Sequence, residues 1–325
     1  MNYKGKQELK DKGFQRQTTS TVLMIRPLNF GYNEQTALTN AFQVAPEPQG
    51  AKTIQEKALQ EFDDFVEGLK KSGMEVITFN DTPSPYTPDS IFPNNWITFH
   101  EDGRIVLYPM EAHNRRLERK TQIISALESE YGFEISEIID LSYFEKQDKY
   151  LEGTGSMILD RQNKIVYACL STRTSPEVLE LFCAHLGYTS ICFQAFDQND
   201  VPIYHTNVLM AVGEKIAIAC LESISNEKEK ENLLNSLLAT GKTIVEISLK
   251  QMLNFAGNML ELKTTTGKPL LVMSKQGYES LTVDQINKIE AQATIFYADI
   301  SHIEKYGGGS ARCMMAEIFN PRKGS

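Results

Sequence analysis

The chain has 325 residues, of which 41% are hydrophobic and 23% charged, an ordinary composition for a globular protein. Asp and Glu (42) outnumber Lys and Arg (33), for a net charge of −9, which argues against a nucleic-acid or anionic-membrane partner. No apolar run of about 18 residues marks a membrane span, and five cysteines without a CxxC pair suit a reducing cytoplasm better than a disulfide framework or zinc ribbon.

Residues 1–17 are polar and Lys-rich without an apolar centre, and read as a flexible N-terminal extension to a single domain over 18–320. Thr21 to Arg26 reads as a strand. Gln55 to Lys71 reads as an amphipathic helix with Leu59, Phe62, Val66 and Leu69 on one face, and Glu75 to Phe79 as a strand. A fuller unit follows: alternating Asn95 to Phe99, a turn at Glu101-Asp102-Gly103, alternating Arg104 to Tyr108, a helical stretch Asn114 to Tyr131, and a β-rich Phe133 to Ile139.

That order of strand, turn, strand, helix, strand returns three times. Ser156 to Leu159 and Lys164 to Cys169 form a hairpin; the helix starts at Ser175-Pro176, with serine as N-cap, and Tyr188 to Phe193 closes the unit. Asn207 to Val212, Lys215 to Leu221, the helix Asn226 to Ala239 and Thr243 to Ile247 form the next. Asn258 to Leu262, Pro269 to Met273, a helix from Thr282 with Gln285 completing a capping box, and Thr294 to Ala298 form the last. The N-terminal unit lacks one hairpin strand, and the apolar run after Cys313 supplies it. The expected fold is therefore an α/β ring of five ββαβ repeats, closed by the C-terminal strand pairing with the N-terminal one. The alternative is an open α/β sheet or two domains.

Four places interrupt the periodicity, each at the start of a hairpin, so that a ring would bring them to one centre. Pro88-Asp89-Ser90-Ile91-Phe92-Pro93-Asn94-Asn95-Trp96 carries an aspartate, two amides and the only tryptophan; by itself it also reads as a turn-rich loop. Leu151-Glu152-Gly153 wedges an acid between a leucine and a glycine. Tyr204-His205-Thr206-Asn207 sets a histidine ahead of an apolar strand. Gly307-Gly308-Gly309 leads to Cys313. A cysteine needs a base or a positive charge to act as a thiolate, and His205 can take its proton and return one to a departing amine. Of the other histidines, His302, in the loop before the glycines, is the rival. Neither HxxxH nor CxxC spacing is present, so no metal and no cofactor is expected.

Together these motifs resemble the guanidino-group-modifying, or pentein, superfamily, over about Thr21 to Phe319. The resemblance implies a five-bladed β/α-propeller. Pro88 to Phe92 is similar to the substrate-binding segment of dimethylarginine dimethylaminohydrolases, Leu151-Glu152-Gly153 to the acidic motif that orients the histidine or binds the guanidine, and Tyr204-His205 to the family histidine. Ser171-Thr172-Arg173-Thr174 resembles the segment whose arginine binds the substrate carboxylate, and the Gly307 to Cys313 loop is close to that of agmatine deiminases. The overall likeness is to citrulline-utilisation hydrolases of the CtlX type. Where arginine deiminases carry two aspartates, this chain has Asn95 and Asn207. A cationic guanidinium favours carboxylates, whereas a neutral ureido group suits an amide that both donates and accepts.

The implied activity is cysteine-dependent hydrolysis at a ureido or guanidino carbon, with citrulline as the expected substrate and ornithine, ammonia and carbon dioxide as products. Cys313 is the nucleophile, His205 the acid–base, and Glu152 and Asp89 accept substrate N–H groups and orient His205. Asn94, Asn95 and Asn207 position the reacting group, and Arg173 anchors the α-carboxylate. The expected partner is a small molecule in the cytoplasm; a homo-oligomer is left open. The alternatives are an amidinotransferase, a deiminase acting on arginine, dimethylarginine or agmatine, and a non-catalytic pentein binding protein.

Overall fold

In the computed structural model the described residues are 15–37, 39–40, 42–46 and 51–324. Among the described residues fifteen strands form five sheets of three. Four sheets share one plan. Each starts with an antiparallel hairpin, passes through at least one helix, and adds a third strand parallel to the second. They are β3 (Ile97–Phe99), β4 (Arg104–Leu107) and β5 (Glu137–Asp140); β6 (Ile158–Asp160), β7 (Ile165–Cys169) and β8 (Thr189–Phe193); β9 (Met210–Val212), β10 (Ile216–Ala219) and β11 (Thr243–Glu246); and β12 (Leu260–Lys263), β13 (Pro269–Ser274) and β14 (Thr294–Ala298). The fifth sheet joins the chain ends. β1 (Thr21–Arg26) runs parallel to β2 (Glu75–Asn80), and β15 (Ala316–Glu317) pairs antiparallel with β1, Leu23 facing Ala316.

The repeat was legible because each hairpin strand is short and apolar and each crossover helix has one apolar face. Ala58, Phe62, Phe65, Val66 and Leu69 of the helix Ala51–Lys71 are buried against the first and last sheets, where Phe65 stacks on Phe296 at 6.1 Å. Each such aromatic ring removed from water stabilises the fold by about 1.5–3 kcal/mol. The first strands of different sheets adjoin, β15 with β3, β6 with β9 and β9 with β12. The turns that precede these strands therefore meet.

Four local expectations differ from the structure. The helical stretch expected from Asn114 to Tyr131 is two helices, His113–Arg116 and Thr121–Ser129. Between them the chain has no apolar stripe to hold a continuous helix, and the Arg115 side chain turns inward. Ser175 opens its helix as expected, but its side chain makes no capping hydrogen bond. His302 lies not in a loop but in the helix Ser301–Gly307, where Nδ1 lies 2.7 Å from Glu61 Oε1. The expected extension over 1–17 lies outside the described residues up to 14, but Gln17 is buried. Its amide donates to Leu159 O (2.9 Å) and Val212 O (3.1 Å) and accepts from Arg161 N (2.7 Å), tying the N-terminal segment to two sheets.

Candidate active site

Asp89, Phe92, Asn95, Tyr204, His205, the glycines 307–309 and Cys313, all ahead of hairpin strands, line one open cavity together with Asn40, Arg115 and Arg173. Five of the eight residues expected to form the site thus share one cavity. Glu152 stands directly behind His205, and Asn207 reaches the Cys313 sulfur. Asn94 is not among the lining residues; its amide donates to Thr154 Oγ1 at 3.2 Å.

The three glycines place the cysteine in two different ways. Gly308 ends the helix Ser301–Gly307 at φ +65°, a conformation that favours glycine. Gly307 and Gly309 instead make room: a Cβ on either would lie within 3.0 Å of the Phe92 ring. Cys313 follows in a turn, three residues before β15, rather than within the strand itself.

Glu152 is fully buried and accepts four contacts. Oε1 takes the Glu111 backbone N–H at 3.0 Å. Oε2 lies 2.8 Å from His205 Nε2, 3.5 Å from Arg173 Nη1 and 3.8 Å from Arg115 Nη1. Burial alone would raise its carboxyl, but Arg173, His205 and Arg115 hold it well below the usual carboxylate range. His205 is lowered as well, but by burial, which pushes it down to about 4 despite the adjacent carboxylate. The pair is therefore carboxylate and neutral imidazole at neutral pH. A carboxylate only accepts, so the single imidazole proton sits on Nε2 and Nδ1 is left as the base. Gly155 permits this packing, since a Cβ there would lie 2.3 Å from Asn95 Nδ2 and 2.8 Å from His205 Nδ1.

Two buried arginines flank the cavity. Arg173 donates through Nε to Glu111 Oε2 (3.2 Å) and through Nη2 to Thr36 O (3.3 Å) and Thr39 Oγ1 (2.5 Å), and lies over the Tyr204 ring at 4.8 Å. Arg115, which the sequence reading passed over, forms a two-pronged pair with Glu118 (3.0 Å each), donates to Asn95 Oδ1 (3.0 Å) and stands 3.8 Å from Asp89. Burial raises Glu118 to about 7 against the pull of Arg115. Burial also pushes Asp89 up, against Arg115 and the Asn33 amide, which donates to Oδ2 at 2.7 Å. Asp89 Oδ1 is buried without a partner and Asp89 lines the cavity, so it offers a free acceptor. The loop containing Asn33 thus supports Asp89, while Thr36 and Thr39 further along it hold Arg173.

At the sulfur, Asn207 Nδ2 and Asn258 Nδ2 both approach Cys313 Sγ at 3.3 Å. Asn258 was read only as the start of a strand. It stands two residues before β12 as Asn95 stands two before β3, a recurrence visible in the sequence. Among the described residues no group of three His, Cys, Asp or Glu is placed to hold a metal ion, and no helix is long and apolar enough to cross a membrane.

The model of the family described as "N,N dimethylarginine dimethylhydrolase, eukaryotic" matches residues 26–320. The chain belongs to this family. It is accordingly a pentein-superfamily member and a C–N hydrolase of the amidine class, as its motifs implied. No curated protein matches. Among solved structures, the N-terminal domain of ArgZ, a cyanobacterial arginine dihydrolase bound to substrate, superposes with a TM-score of 0.70 at 16% identity, covering 93% of this chain and 98% of that one. AgrE bound to L-arginine gives 0.71 at 16% identity and covers 94% of this chain and 41% of that one. Dimethylarginine dimethylaminohydrolase of Pseudomonas aeruginosa, as a cysteine-to-serine variant with citrulline, gives 0.61 at 14% identity and covers 93% and 100%. The chain spans 41% of full-length ArgZ. At these identities the structural likeness speaks for the fold.

Proposed function

We propose that this pentein hydrolyses a ureido or guanidino carbon of an arginine-derived amino acid, with citrulline as the substrate it suits best. The observation that carries the reading is the cavity shared by Cys313, two buried arginines and His205, with Glu152 bonded behind the imidazole. The five sheets would close into a five-bladed propeller, a reading supported by the β15–β1 pairing of the chain ends. Such a ring has the cavity at its centre.

His205 Nδ1 takes the Cys313 thiol proton, and the thiolate sulfur bonds to the ureido carbon while the carbonyl electron pair moves onto oxygen. As the carbonyl re-forms, the C–N bond to ornithine breaks and the imidazolium returns its proton to the departing amine. Cys313 is left as an S-carbamoyl thioester. Water then adds to that carbon, giving its proton to His205; the sulfur leaves as thiolate and is reprotonated. The released carbamic acid breaks down to ammonia and carbon dioxide. Asp89 Oδ1 accepts a substrate N–H, and Asn95 and Asn207 present neutral amides where a guanidinium would call for carboxylates. Arg173 serves as anchor for the α-carboxylate, with Arg115 as a second cation on the same wall. The five free cysteines agree with a reducing cytoplasm.

The test is product analysis by mass spectrometry after incubation with L-citrulline, L-arginine, agmatine or dimethylarginine, with Cys313→Ser as control. Ornithine from citrulline, absent in the variant, is expected. Citrulline from arginine would replace this reading with a deiminase. Transfer of the amidino group to added glycine would replace it with an amidinotransferase.

A further inference from the structure

We propose that Asn258 is a further catalytic residue: its amide is the fixed hydrogen-bond donor that holds the Cys313 sulfur as a thiolate, with Asn207 as the adaptable second donor. The inference rests on the reading of Cys313 as nucleophile but not on the choice of substrate.

The partners of the Asn258 amide fix its orientation. Asn258 Oδ1 accepts the Arg312 backbone N–H at 3.0 Å. Since that partner can only donate, the oxygen must face it. The NH₂ group is then obliged to face the other way, where one hydrogen meets Asn207 O at 2.9 Å and the nitrogen stands 3.3 Å from Cys313 Sγ. Each end of the Asn258 amide is thus committed, and the residue is 1% exposed, so no water competes for the bond. Asn207 is held differently. Its Nδ2 also reaches Sγ at 3.3 Å, but its Oδ1 is buried without a partner. Nothing in the structure fixes its flip, and it is free to turn toward a substrate N–H.

The sulfur environment is asymmetric in the same sense. Two amide donors point at Sγ. Among the described residues the acceptor in hydrogen-bond reach of an S–H proton is Asn258 Oδ1 at 3.7 Å, which the Arg312 N–H already occupies. Donors on an anionic sulfur are charge-assisted, whereas a neutral thiol gains little from them. Among the described residues the hydrogen-bond donors that reach Sγ are these two amides. The Nε2 proton of His205 is committed to Glu152. The attacking thiolate therefore relies on the amides for its hydrogen bonds once His205 has taken its proton. Because Asn258 Oδ1 also holds the backbone of Arg312, the residue before the cysteine, one side chain sets both the place of the sulfur and its charge.

The experiment compares Asn258→Asp and Asn258→Ala with the parent protein. Aspartate keeps the volume and the acceptor for Arg312 N–H but withdraws the donor. The main readout is the second-order rate of Cys313 alkylation by iodoacetamide at neutral pH, followed by mass spectrometry of the Cys313 peptide. It is paired with the ultraviolet thiolate absorbance that Cys313→Ser removes, and with circular dichroism as a check on the fold. Loss of one hydrogen bond to a charged sulfur should slow alkylation by about tenfold to a hundredfold, with the thiolate absorbance falling in parallel. In the substrate assay kcat should fall and KM stay within about twofold.

A folded Asn258→Asp protein alkylated at the parent rate would overturn the inference. Unfolding of both variants would overturn it as well, by showing the amide to be a structural tie. A parent protein whose Cys313 alkylates rapidly and loses that reactivity in the variants, yet turns over none of the four substrates, would leave this inference standing and remove the substrate reading instead.

Discussion

Glu152→Gln is the sharpest test of the site's electrostatics, because glutamine has the same shape and only one acceptor. In the native protein both carboxylate oxygens accept: Oε1 from the Glu111 N–H and Oε2 from His205 Nε2 and Arg173 Nη1. A glutamine NH₂ turned toward Glu111 would oppose donor to donor, at a cost of about 1–3 kcal/mol. Turned the other way it would face both the Arg173 cation and the His205 N–H. That would force the imidazole proton onto Nδ1 and remove the base. Either orientation also leaves two buried arginines short of counter-charge, which costs about 3–5 kcal/mol when one partner of a buried pair is removed. The expected outcome is a lower thermal midpoint together with a loss in kcat. That loss is about tenfold to a hundredfold if the tautomer survives, and about 10⁴-fold if it flips, as for a triad carboxylate replaced by its amide. Thermal unfolding and steady-state kinetics on the same preparation decide it. A Glu152→Gln protein with a parent-like melting midpoint and kcat within about threefold would refute the assignment of His205 and Glu152 as a working pair.

Gly155→Ala places a methyl group 2.3 Å from Asn95 Nδ2 and 2.7 Å from the His205 ring, so it should push both aside and lower kcat by about a hundredfold; parent-like kinetics would show that the ring does not need that close approach. Asn95→Asp should raise the ratio of kcat/KM for arginine over citrulline by about tenfold, the effect of about 1.4 kcal/mol; an unchanged ratio would remove the amide argument for a ureido substrate. Glu304, on the helix that leads into the glycine loop, gives a pH prediction. Burial raises it to about 7 from an ordinary 4.5, with Ser310 donating to it at 2.6 Å. The folded state thus keeps a proton that the unfolded chain loses. Its contribution is full below about pH 4.5 and is lost as pH rises to about 7, by up to about 3 kcal/mol. Glu304→Gln should therefore gain stability over the parent at about pH 8 and none at about pH 4 in urea titrations; an equal difference at both would refute the shift.

The repeats were legible because strand, turn and crossover helix each leave a local signature. Alternation in Arg104 to Leu107, the Asn226 cap that accepts from Lys228 and Glu229, and the Thr282–Gln285 capping box all lie within a few residues of the feature they create. Cys313, His205 and Glu152 were legible because each interrupts that pattern ahead of a hairpin. Arg115 was not. It lies in a run with His113, Arg116 and Arg119 that reads as a charged, solvated surface. Only the break after Arg116 and the buried partner Glu118 turn it into the cavity. Arg173, by contrast, was found through a motif, although the structure shows it tied to Thr36 and Thr39, more than a hundred residues away.

The same distinction explains the chemistry at the sulfur. A base and its orienting acid can be guessed from residue types, since few side chains do that work. A donor to a thiolate can be any amide, and this chain has many asparagines. What selects Asn258 is its place two residues before β12, next to the turn carrying Cys313. The turns before β3, β9 and β15 line the cavity, while those before β6 and β12 bring Glu152 to His205 and Asn258 to the sulfur, so a residue's role follows from its register in the repeat as much as from its type. Two residues before the first strand stand Asn95, Ser156 and Asn258 of the second, third and fifth units; three residues before it stand Gly155, Asn207 and Cys313 of the third, fourth and terminus-joining units. A nucleophile encircled by amides has donors for its own negative charge and few fixed charges of its own. Recognition of a charged substrate end then falls to Arg115, Arg173 and Asp89 on the cavity wall.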